Sequence, residues 1–451
     1  MPGRRARYDG AWREGADVDE SDVRITGLAH GGDGVARLAD GRAVFVRGSC
    51  PGDLVRVSVQ ESHDRWARAS VLTILEPSPD RVQPPCPYFG ACGGCQWQHI
   101  SYERQLAAKQ ENLTEALQRI GHLDAPPVDD ALPAPAPYAY RNKVELSASS
   151  GPRGLVLGFT RMGTADLLPV DACLLLPPKR QALPKALSGA LRFLATRGAS
   201  GIVRASVRVS SADEVAVDLW THGGPFPRAA AARTVAESTG ARTVTRVIVR
   251  GAPERRDISQ VEVLAGPPTW QEMLAGDRYS VSAPSFFQVN TAAALNLRSR
   301  AVDALAADGS ARVADLYAGV GTFTLPVART AGATVAVESS KWALADLRRN
   351  LEDAHLSAEV VPGDAAHALP DLGHLDALLV DPPRSGLSEG ALSALAKTRA
   401  TRVVYVSCDP ATLARDVARL GDAGYAPVRF VPVDLFPQTY HLETVALLEL
   451  A

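Results

Sequence analysis

The hydrophobic pattern from residue 290 onward alternates between short apolar strands and longer helical stretches. The strand segments are ARVADLYAG, ATVAVESS, AEVVPGDAA, LDALLVDPPRSG, TRVVYVSCDP and a terminal TVALLEL. Strands that alternate with helices indicate a parallel, doubly wound sheet whose functional loops follow the carboxyl ends of the strands. We therefore predict a Rossmann-like α/β domain over residues 286–451.

A different pattern occupies the N-terminal part of the chain. Residues 1–20 lack hydrophobic periodicity, which predicts a disordered tail. Over residues 21–78 the pattern is typical of short strands: VARLADGRAVFV contains an Asp40-Gly41 hairpin signal, and DLVRVSVQ alternates valines with polar residues. These features predict a small OB-like β-barrel, a fold that commonly binds oligonucleotides.

The region between these two parts, residues 79–285, is less regular. It opens with a proline-rich linker, EPSPDRVQPPCPYFG, and continues with a helix, SYERQLAAKQENLTEALQRIG, that ends at Gly121. The remaining strands are irregular and predict a mixed α+β central domain that contains a cysteine cluster. Because 451 residues exceed what one hydrophobic core usually serves, we expect a multidomain α/β protein.

The charge of the chain restricts where a nucleic acid could bind. The formal net charge is -2, so any such surface must be a local concentration of Lys and Arg. One basic run, between Cys173 and Ala212, contains no Asp or Glu. Its members are Lys179, Arg180, Lys185, Arg192, Arg197, Arg204 and Arg208. The run predicts either an RNA-binding surface or a solvated face of a helix and strand.

Four of the six cysteines are candidates for a metal site. The charged N-terminus is unlike a signal peptide and no apolar run could cross a bilayer, so we expect a cytoplasmic protein, in which disulfides are rare. Cys86, Cys92 and Cys95, with the distant Cys173, therefore predict a four-thiolate site that could hold zinc or an iron-sulfur cluster. Cys50 is interpreted as an ordinary barrel residue.

A nucleoside cofactor site is predicted after the first strand of the C-terminal domain. The segment YAGVG, with Gly319, lets the backbone turn tightly and approach a ligand. Glu338, at the end of the next strand, is placed to bind two ribose hydroxyls, and Asp364, after the third strand, to meet an adenine. NAD is the alternative ligand, but Thr324 stands where its motif has a third glycine, so we favour S-adenosylmethionine (SAM).

A candidate nucleophile and base are found near the end of the chain. Cys408 follows an apolar strand and precedes a helix that Asp409 can cap and Pro410 can open, so the helix dipole should favour its thiolate. The alternative is a buried cysteine acting as a small apolar residue. Glu443, with His441 nearby, is a candidate general base, although an acidic residue at a strand is usually solvated surface.

The combination of these residues suits methylation at C5 of uracil. That carbon is a poor nucleophile unless a thiolate first adds to C6. After methyl transfer a base must remove the C5 proton before the thiol can leave. Cys408, Glu443 and the SAM loops together therefore indicate this reaction, whereas each alone does not.

Several long motifs resemble the RNA uridine-C5 methyltransferase family, in its branch with an N-terminal TRAM barrel and an iron-sulfur cluster. They are GLAHGGDGVARL, PGDLVRV, PPCPYFGACGGCQWQHI, YRNKVEL, PSFFQVN, DLYAGVGTF, DPPRSG, SCDP and FPQTYHLETV. The resemblance implies that Cys408 is the nucleophile and Glu443 the base. It implies SAM contacts from Gln288, Tyr317, Glu338 and Asp381, and a 4Fe-4S cluster on Cys86, Cys92, Cys95 and Cys173.

The resemblance also implies a substrate and leaves alternatives open. We expect a monomer that acts on 23S ribosomal RNA, with the T-loop of transfer RNA as the alternative. A non-catalytic RNA-binding protein would not need both Cys408 and Glu443. A cytosine-C5 methyltransferase is expected to have a second cysteine where this chain has DPPR, from Asp381 to Arg384, and a radical SAM enzyme would have C-x3-C-x2-C spacing.

Overall fold

The computed structural model describes residues 20–151, 154–251 and 257–451, so the predicted disordered tail lies outside the described residues except for Glu20. The chain forms two compact units. The first extends to Ala108 and also contains Phe159–Leu168 and Gln438–Tyr440; the second comprises Lys109–Gly158, Pro169–Pro437 and His441–Ala451. Among the described helices, none has the length and apolar character needed to span a membrane.

The first unit begins with a six-stranded sheet in the order β1-β5-β6-β4-β3-β2. The strands are β1 Glu20–Arg24, β2 Gly27–Leu28, β3 Gly34–Arg37, β4 Ala43–Arg47, β5 Leu54–Ser62 and β6 Trp66–Glu76. Val55 and Val57 of β5 are fully buried in the apolar core that these strands surround. The predicted hairpin is confirmed: β3 and β4 pair antiparallel, and Gly41 adopts φ 87° at the turn.

The central sheet of the second unit has the strand order β13-β12-β11-β10-β7-β8. The elements are α1 Tyr102–Arg119, β7 Lys143–Gly151, β8 Gly154–Thr160, β9 Leu167–Leu168, α2 Leu183–Thr196, β10 Ile202–Val209, β11 Val215–His222, α3 Arg228–Thr239, β12 Ala241–Arg250 and β13 Asp257–Ala265. The predicted helix before Gly121 is confirmed as α1. The mixed α and β character of this region is confirmed as well.

The C-terminal domain follows a short hairpin and forms a seven-stranded sheet in the order β18-β17-β16-β19-β20-β22-β21. The elements are β14 Trp270–Leu274, β15 Asp277–Val281, α4 Thr291–Leu305, β16 Arg312–Leu316, α5 Thr324–Thr330, β17 Ala333–Glu338, α6 Lys341–Asp353, β18 Glu359–Pro362, α7 Ala365–Ala368, β19 Ala377–Val380, α8 Glu389–Thr398, β20 Arg402–Ser407, α9 Pro410–Asp422, β21 Tyr425–Val433 and β22 Glu443–Leu450. Short 3-10 turns lie at Pro178–Arg180 and Leu369–Asp371.

The expectation of a parallel sheet is wrong for one strand, β22. Strands β16 to β20 are parallel, but β22 pairs antiparallel with both β20 and β21. The reason is that β21 and β22 follow each other through a hairpin rather than through a crossover helix. The segment of β21 was not identified from its pattern.

Helices cover both faces of this sheet, and its strands carry apolar side chains toward both. Successive residues of β20 enter different apolar clusters: Val403 and Tyr405 pack on one face, and Val404 and Val406 on the other. All four are fully buried. A strand buried on both faces is therefore apolar at every position, and functional side chains are left to the loops at the strand ends.

Candidate active site

The topology of the C-terminal sheet gathers the predicted site residues at one edge. The carboxyl ends of parallel strands lie at the same edge of a sheet, and the antiparallel β22 begins there. Tyr317 follows β16, Glu338 ends β17, Asp364 comes two residues after β18, Asp381 follows β19, Cys408 follows β20, and Glu443 begins β22. Since Ser407 pairs with Thr444, Cys408 and Glu443 occupy the next positions on neighbouring strands.

The loop after β16 has the backbone of a ligand-binding turn. Tyr317, Gly319 and Gly321 adopt left-handed conformations with φ 63°, 57° and 94°. A non-glycine residue such as Tyr317 is strained there, which is common at functional sites. The Gly319 N–H donates to Glu338 Oε2 at 2.9 Å, and the Ser340 N–H donates to Glu338 Oε1 at 2.6 Å. The structure thus joins the loop to the carboxylate expected to bind ribose.

Asp315 is a site residue that the sequence analysis missed. It is fully buried in β16, and its Oδ2 accepts a 2.5 Å hydrogen bond from Thr324, the residue that replaces the third glycine. Burial raises the pKa of Asp315 to about 7, and repulsion by Asp381 and Glu338 acts in the same direction. A lone acidic residue inside an apolar strand was the signal that could have identified it.

The other predicted SAM residues have different environments. Gln288 is buried, and its Oε1 has no hydrogen-bond partner among the described residues. The side chain of Asp364 is exposed and accepts the Ala366 N–H at 2.9 Å, so it caps α7. Asp381 is partly buried, and burial raises its pKa to about 7.

The capping residues around Cys408 agree with the prediction. Asp409 accepts the Thr412 N–H at 2.9 Å and caps α9, and Pro410 is its first residue. The surroundings of the thiol, however, act against the predicted thiolate. Burial raises the pKa of Cys408 to about 12, and the carboxylate of Glu443 acts in the same direction. These two effects oppose the helix dipole, so the thiolate at Cys408 stays a prediction.

Glu443 is also held in an unusual state. It is buried, and burial raises its pKa well above the ordinary value, with a further contribution from Asp381. Arg384 opposes the shift at both Glu443 and Cys408, because its positive charge favours their ionised forms. From the sequence alone, Arg384 was recognisable only as part of the DPPR motif. The His441 ring lies edge-on to Phe436, with 5.9 Å between ring centroids.

The cysteines predicted to bind a metal lie in both units. Cys86, Cys92 and Cys95 are in a loop of the first unit, where the Gly94 N–H donates to Cys92 Sγ at 3.4 Å. Cys173 belongs to the second unit. Thiolates that accept amide hydrogen bonds suit a soft metal, but within the described ranges no three His, Cys, Asp or Glu side chains are arranged to hold one. The four thiols have the donor chemistry of a cluster, and a cluster on them stays a prediction.

The basic run does not form one continuous surface. Arg192 and Arg197 are exposed, whereas Arg208 is buried and Arg204 is paired with Glu145. The expectation of one exposed basic face is therefore wrong for Arg204 and Arg208. These two residues are four positions apart on β10, so their side chains lie on the same face of the sheet. The composition of the run does not show which face that is.

Family models match three parts of the chain. A TRAM domain model matches residues 18–72, a methyltransferase small domain model residues 297–404, and a tRNA (uracil-5-)-methyltransferase model residues 371–451. The first match agrees with the predicted barrel. The other two cover the sheet edge described above.

Complete chains and a solved structure are similar over nearly the whole length. A protein of Thermosynechococcus vestitus named as an RNA methyltransferase is 36% identical over 97% of this chain and 99% of its own. One of Halalkalibacterium halodurans with the same name is 33% identical over 97% and 99%. The crystal structure of the Pyrococcus abyssi tRNA (uracil-54, C5)-methyltransferase with S-adenosyl-L-homocysteine aligns with TM-score 0.73 and 25% identity over 95% of this chain and 100% of that one.

Proposed function

The chain belongs to the SAM-dependent RNA methyltransferases, and on that premise we propose that it methylates C5 of a uridine in RNA through a covalent intermediate. One observation carries the proposal: a cysteine and a buried glutamate occupy adjacent positions on neighbouring strands, at the edge that also holds the nucleoside-binding loop. A methyltransferase acting on a nitrogen or oxygen would need no such pair. C5 of uracil needs both a nucleophile and a base.

In the proposed reaction Cys408 forms and later breaks one bond to the substrate. Its thiolate adds to C6 of the uracil, which makes C5 nucleophilic. C5 then takes the methyl group from the sulfonium, and S-adenosylhomocysteine is released as the leaving group. Glu443 removes the C5 proton, and the electron pair that this leaves expels the Cys408 thiolate and restores the aromatic ring.

The raised pKa values indicate how the site could avoid reacting too early. Burial raises the pKa of both the Cys408 thiol and the Glu443 carboxyl, which disfavours their ionised forms. SAM brings a sulfonium charge to this edge, and a nearby positive charge lowers the pKa of both groups. We therefore assign to bound SAM, together with Arg384, the role of favouring the thiolate.

Arg384→Met should shift the pH profile of methylation to higher pH. Without the guanidinium the pKa values of Cys408 and Glu443 rise further, so ionised forms appear only at higher pH. The shift in kcat/KM should be at most about one pH unit because Arg384 is exposed and screened. The measurement is the pH dependence of kcat/KM for the variant and the wild-type enzyme.

The matched control for this measurement is Arg419→Met, because Arg419 lies in the last turn of α9, at the end away from Cys408. This variant should leave the pH profile of methylation unchanged. Loss of a phosphate contact alone would lower the whole curve without moving it. A curve for Arg384→Met that is lowered but not displaced would contradict the electrostatic role of Arg384.

For the substrate we propose 23S ribosomal RNA. The resemblance to the cluster-containing branch supports it, and the TRAM domain supplies an RNA-binding module. The alternative is transfer RNA, the substrate named for the Pyrococcus abyssi structure. Mapping 5-methyluridine in ribosomal and transfer RNA from a strain lacking this gene tests both: loss of one ribosomal site supports the proposal, and loss in transfer RNA alone overturns it.

We further propose that Cys86, Cys92, Cys95 and Cys173 bind a 4Fe-4S cluster, for which the four thiols and the amide donor to Cys92 are the support. The cluster would stabilise the fold, since methyl transfer involves no electron transfer. Protein purified without oxygen should contain iron and acid-labile sulfide. Cys95→Ala should lose both, while Cys50→Ala should keep them. Stoichiometric zinc without iron would contradict the assignment.

A further inference from the structure

One face of the central sheet is lined with charged side chains where apolar ones usually pack. We call it the charged face and define it by Lys143 and Glu145 of β7, Arg204 and Arg208 of β10, and Asp218 of β11. In the strand register Arg208 pairs with Lys143, and Ser206 pairs with both Glu145 and Asp218. Because side chains alternate along a strand, all five lie on the same side of the sheet.

The side chains of the charged face differ in exposure. The side chain of Arg208 is 1% exposed and that of Lys143 is 22% exposed. Arg204 pairs with Glu145, and Ser206 donates to Asp218 at 2.9 Å. Lys143 and, to a smaller extent, Arg204 are therefore accessible to solvent, whereas Arg208 is not.

Cationic and acidic side chains meet on this face. It has three cationic side chains and two carboxyls, and Asp346 acts on Arg208 as a third carboxyl. Burial raises the pKa of Asp218, and burial and the neighbouring Arg208 lower the pKa of Lys143 to about 8. Buried charged groups are costly unless their hydrogen bonds are satisfied, so an oxyanion that accepted from unsatisfied donors would stabilise this arrangement.

The arginines also have hydrogen-bond donors left over. Arg208 Nη2 donates to the Ser285 carbonyl at 2.7 Å, but its Nε and Nη1 are buried and make no hydrogen bond to the described residues, with Asp218 Oδ2 3.9 Å from Nε. The same holds for Nε of Arg204. A guanidinium fork matches the oxygens of a phosphate, and such charge-assisted bonds would satisfy these donors.

The charged face borders the segment that leads to the SAM site. Ser285 accepts from Arg208 and donates through its side chain to Asp346 at 2.6 Å. Asn142, the residue before Lys143, donates to the Gln288 carbonyl at 2.8 Å. An anion bound here would therefore lie beside the segment from Ser285 to Gln288.

We propose that the charged face binds a phosphodiester group of the RNA next to the target uridine, with Lys143 and Arg204 contacting its oxygens and Arg208 supplying positive charge beneath them. This inference rests on the proposed function and adds the way in which the extruded nucleotide is held. The same oxyanion chemistry is present in the methionine carboxylate of SAM, so the experiment must separate the two sources.

The test uses an RNA oligonucleotide around the uridine from which the wild-type enzyme releases tritium at C5. A second oligonucleotide carries a neutral methylphosphonate at one neighbouring linkage, and each linkage is tried in turn. At one of them the wild-type Kd should rise about tenfold, as expected for loss of a bond to a charged group. Lys143→Gln should bind both RNAs equally weakly, because the contact is already lost.

Two further readouts follow from the charge of Lys143. The log-log salt slope of Lys143→Gln should be smaller by roughly 0.7 to 0.9. Wild-type RNA affinity should fall as the pH rises through about 8, because Lys143 then loses its proton amid Arg204, Arg208, Glu145 and Asp218. Lys143→Gln should lack this dependence. Lys397→Gln, at an exposed lysine in the last turn of α8, is the control that should keep wild-type behaviour.

The outcomes separate cleanly. A Lys143→Gln enzyme that still discriminates against the methylphosphonate overturns the proposal, and so does one whose SAM affinity falls while RNA affinity is kept. If Lys143→Gln unfolds, Arg204→Gln is measured in the same way. Absence of tritium release by the wild-type enzyme would instead contradict the proposed function, whatever the variants do.

Discussion

Glu443→Gln should accumulate a denaturant-resistant complex of protein and RNA that already carries the transferred methyl group. The glutamine keeps the size and burial of the side chain but cannot accept the C5 proton. Addition of Cys408 and methyl transfer come before that proton is removed, so both should still occur. Product release should fall by about two to four orders of magnitude, the range for loss of a general base.

The measurement is a denaturing gel of the variant mixed with substrate RNA and methyl-labelled SAM, in which label should migrate with the protein. Glu449→Gln is the matched control, because Glu449 lies on the same strand and pairs with Arg402 rather than with the site. Normal turnover by Glu443→Gln, or an adduct without the methyl label, would show that Glu443 is not the base.

Cys408→Ala should abolish both methylation and the covalent complex. Without the thiolate, C5 has no means of becoming nucleophilic, so the reaction stops before methyl transfer. SAM binding should persist, because the loop at Gly319 and its bond to Glu338 do not involve the thiol. Labelled product and gel-shifted protein are measured as above, and SAM affinity by calorimetry.

Cys408→Ser provides the conservative comparison for this prediction. A serine hydroxyl is far less acidic than a thiol, so this variant should be as inactive as Cys408→Ala although it keeps a polar side chain. Methylation by either variant at more than a trace of the wild-type rate would rule out Cys408 as the nucleophile. Glu443 would then act as a base with a different nucleophile.

Together the two variants order the steps of the reaction. Cys408→Ala tests a group required before methyl transfer, and Glu443→Gln tests one required after it. A non-catalytic RNA-binding protein would form no labelled complex with either variant. An enzyme that methylates a nitrogen would be insensitive to both.

Local patterns in the sequence identified most strands of the C-terminal domain. Its parallel strands are mostly apolar, which makes them recognisable, and Glu338, Asp364 and Cys408 lie at or just after strand ends. The capping of α9 by Asp409 was also predictable, because a cap depends on neighbours within one turn. The local sequence pattern did not predict that β22 is antiparallel, because the direction of a strand depends on its neighbours in the sheet.

The sequence by itself determined the kinds of chemistry that this chain carries: a nucleoside loop, a cysteine after a strand and a glutamate near the end. Only the tertiary structure decided their states. It placed a partly buried Cys408 beside the buried Glu443 and so raised the pKa of both, and it turned Arg204 and Arg208 inward onto the charged face. The physical reason is that pKa values and burial depend on solvent exclusion and on charges from distant segments, which no local pattern encodes.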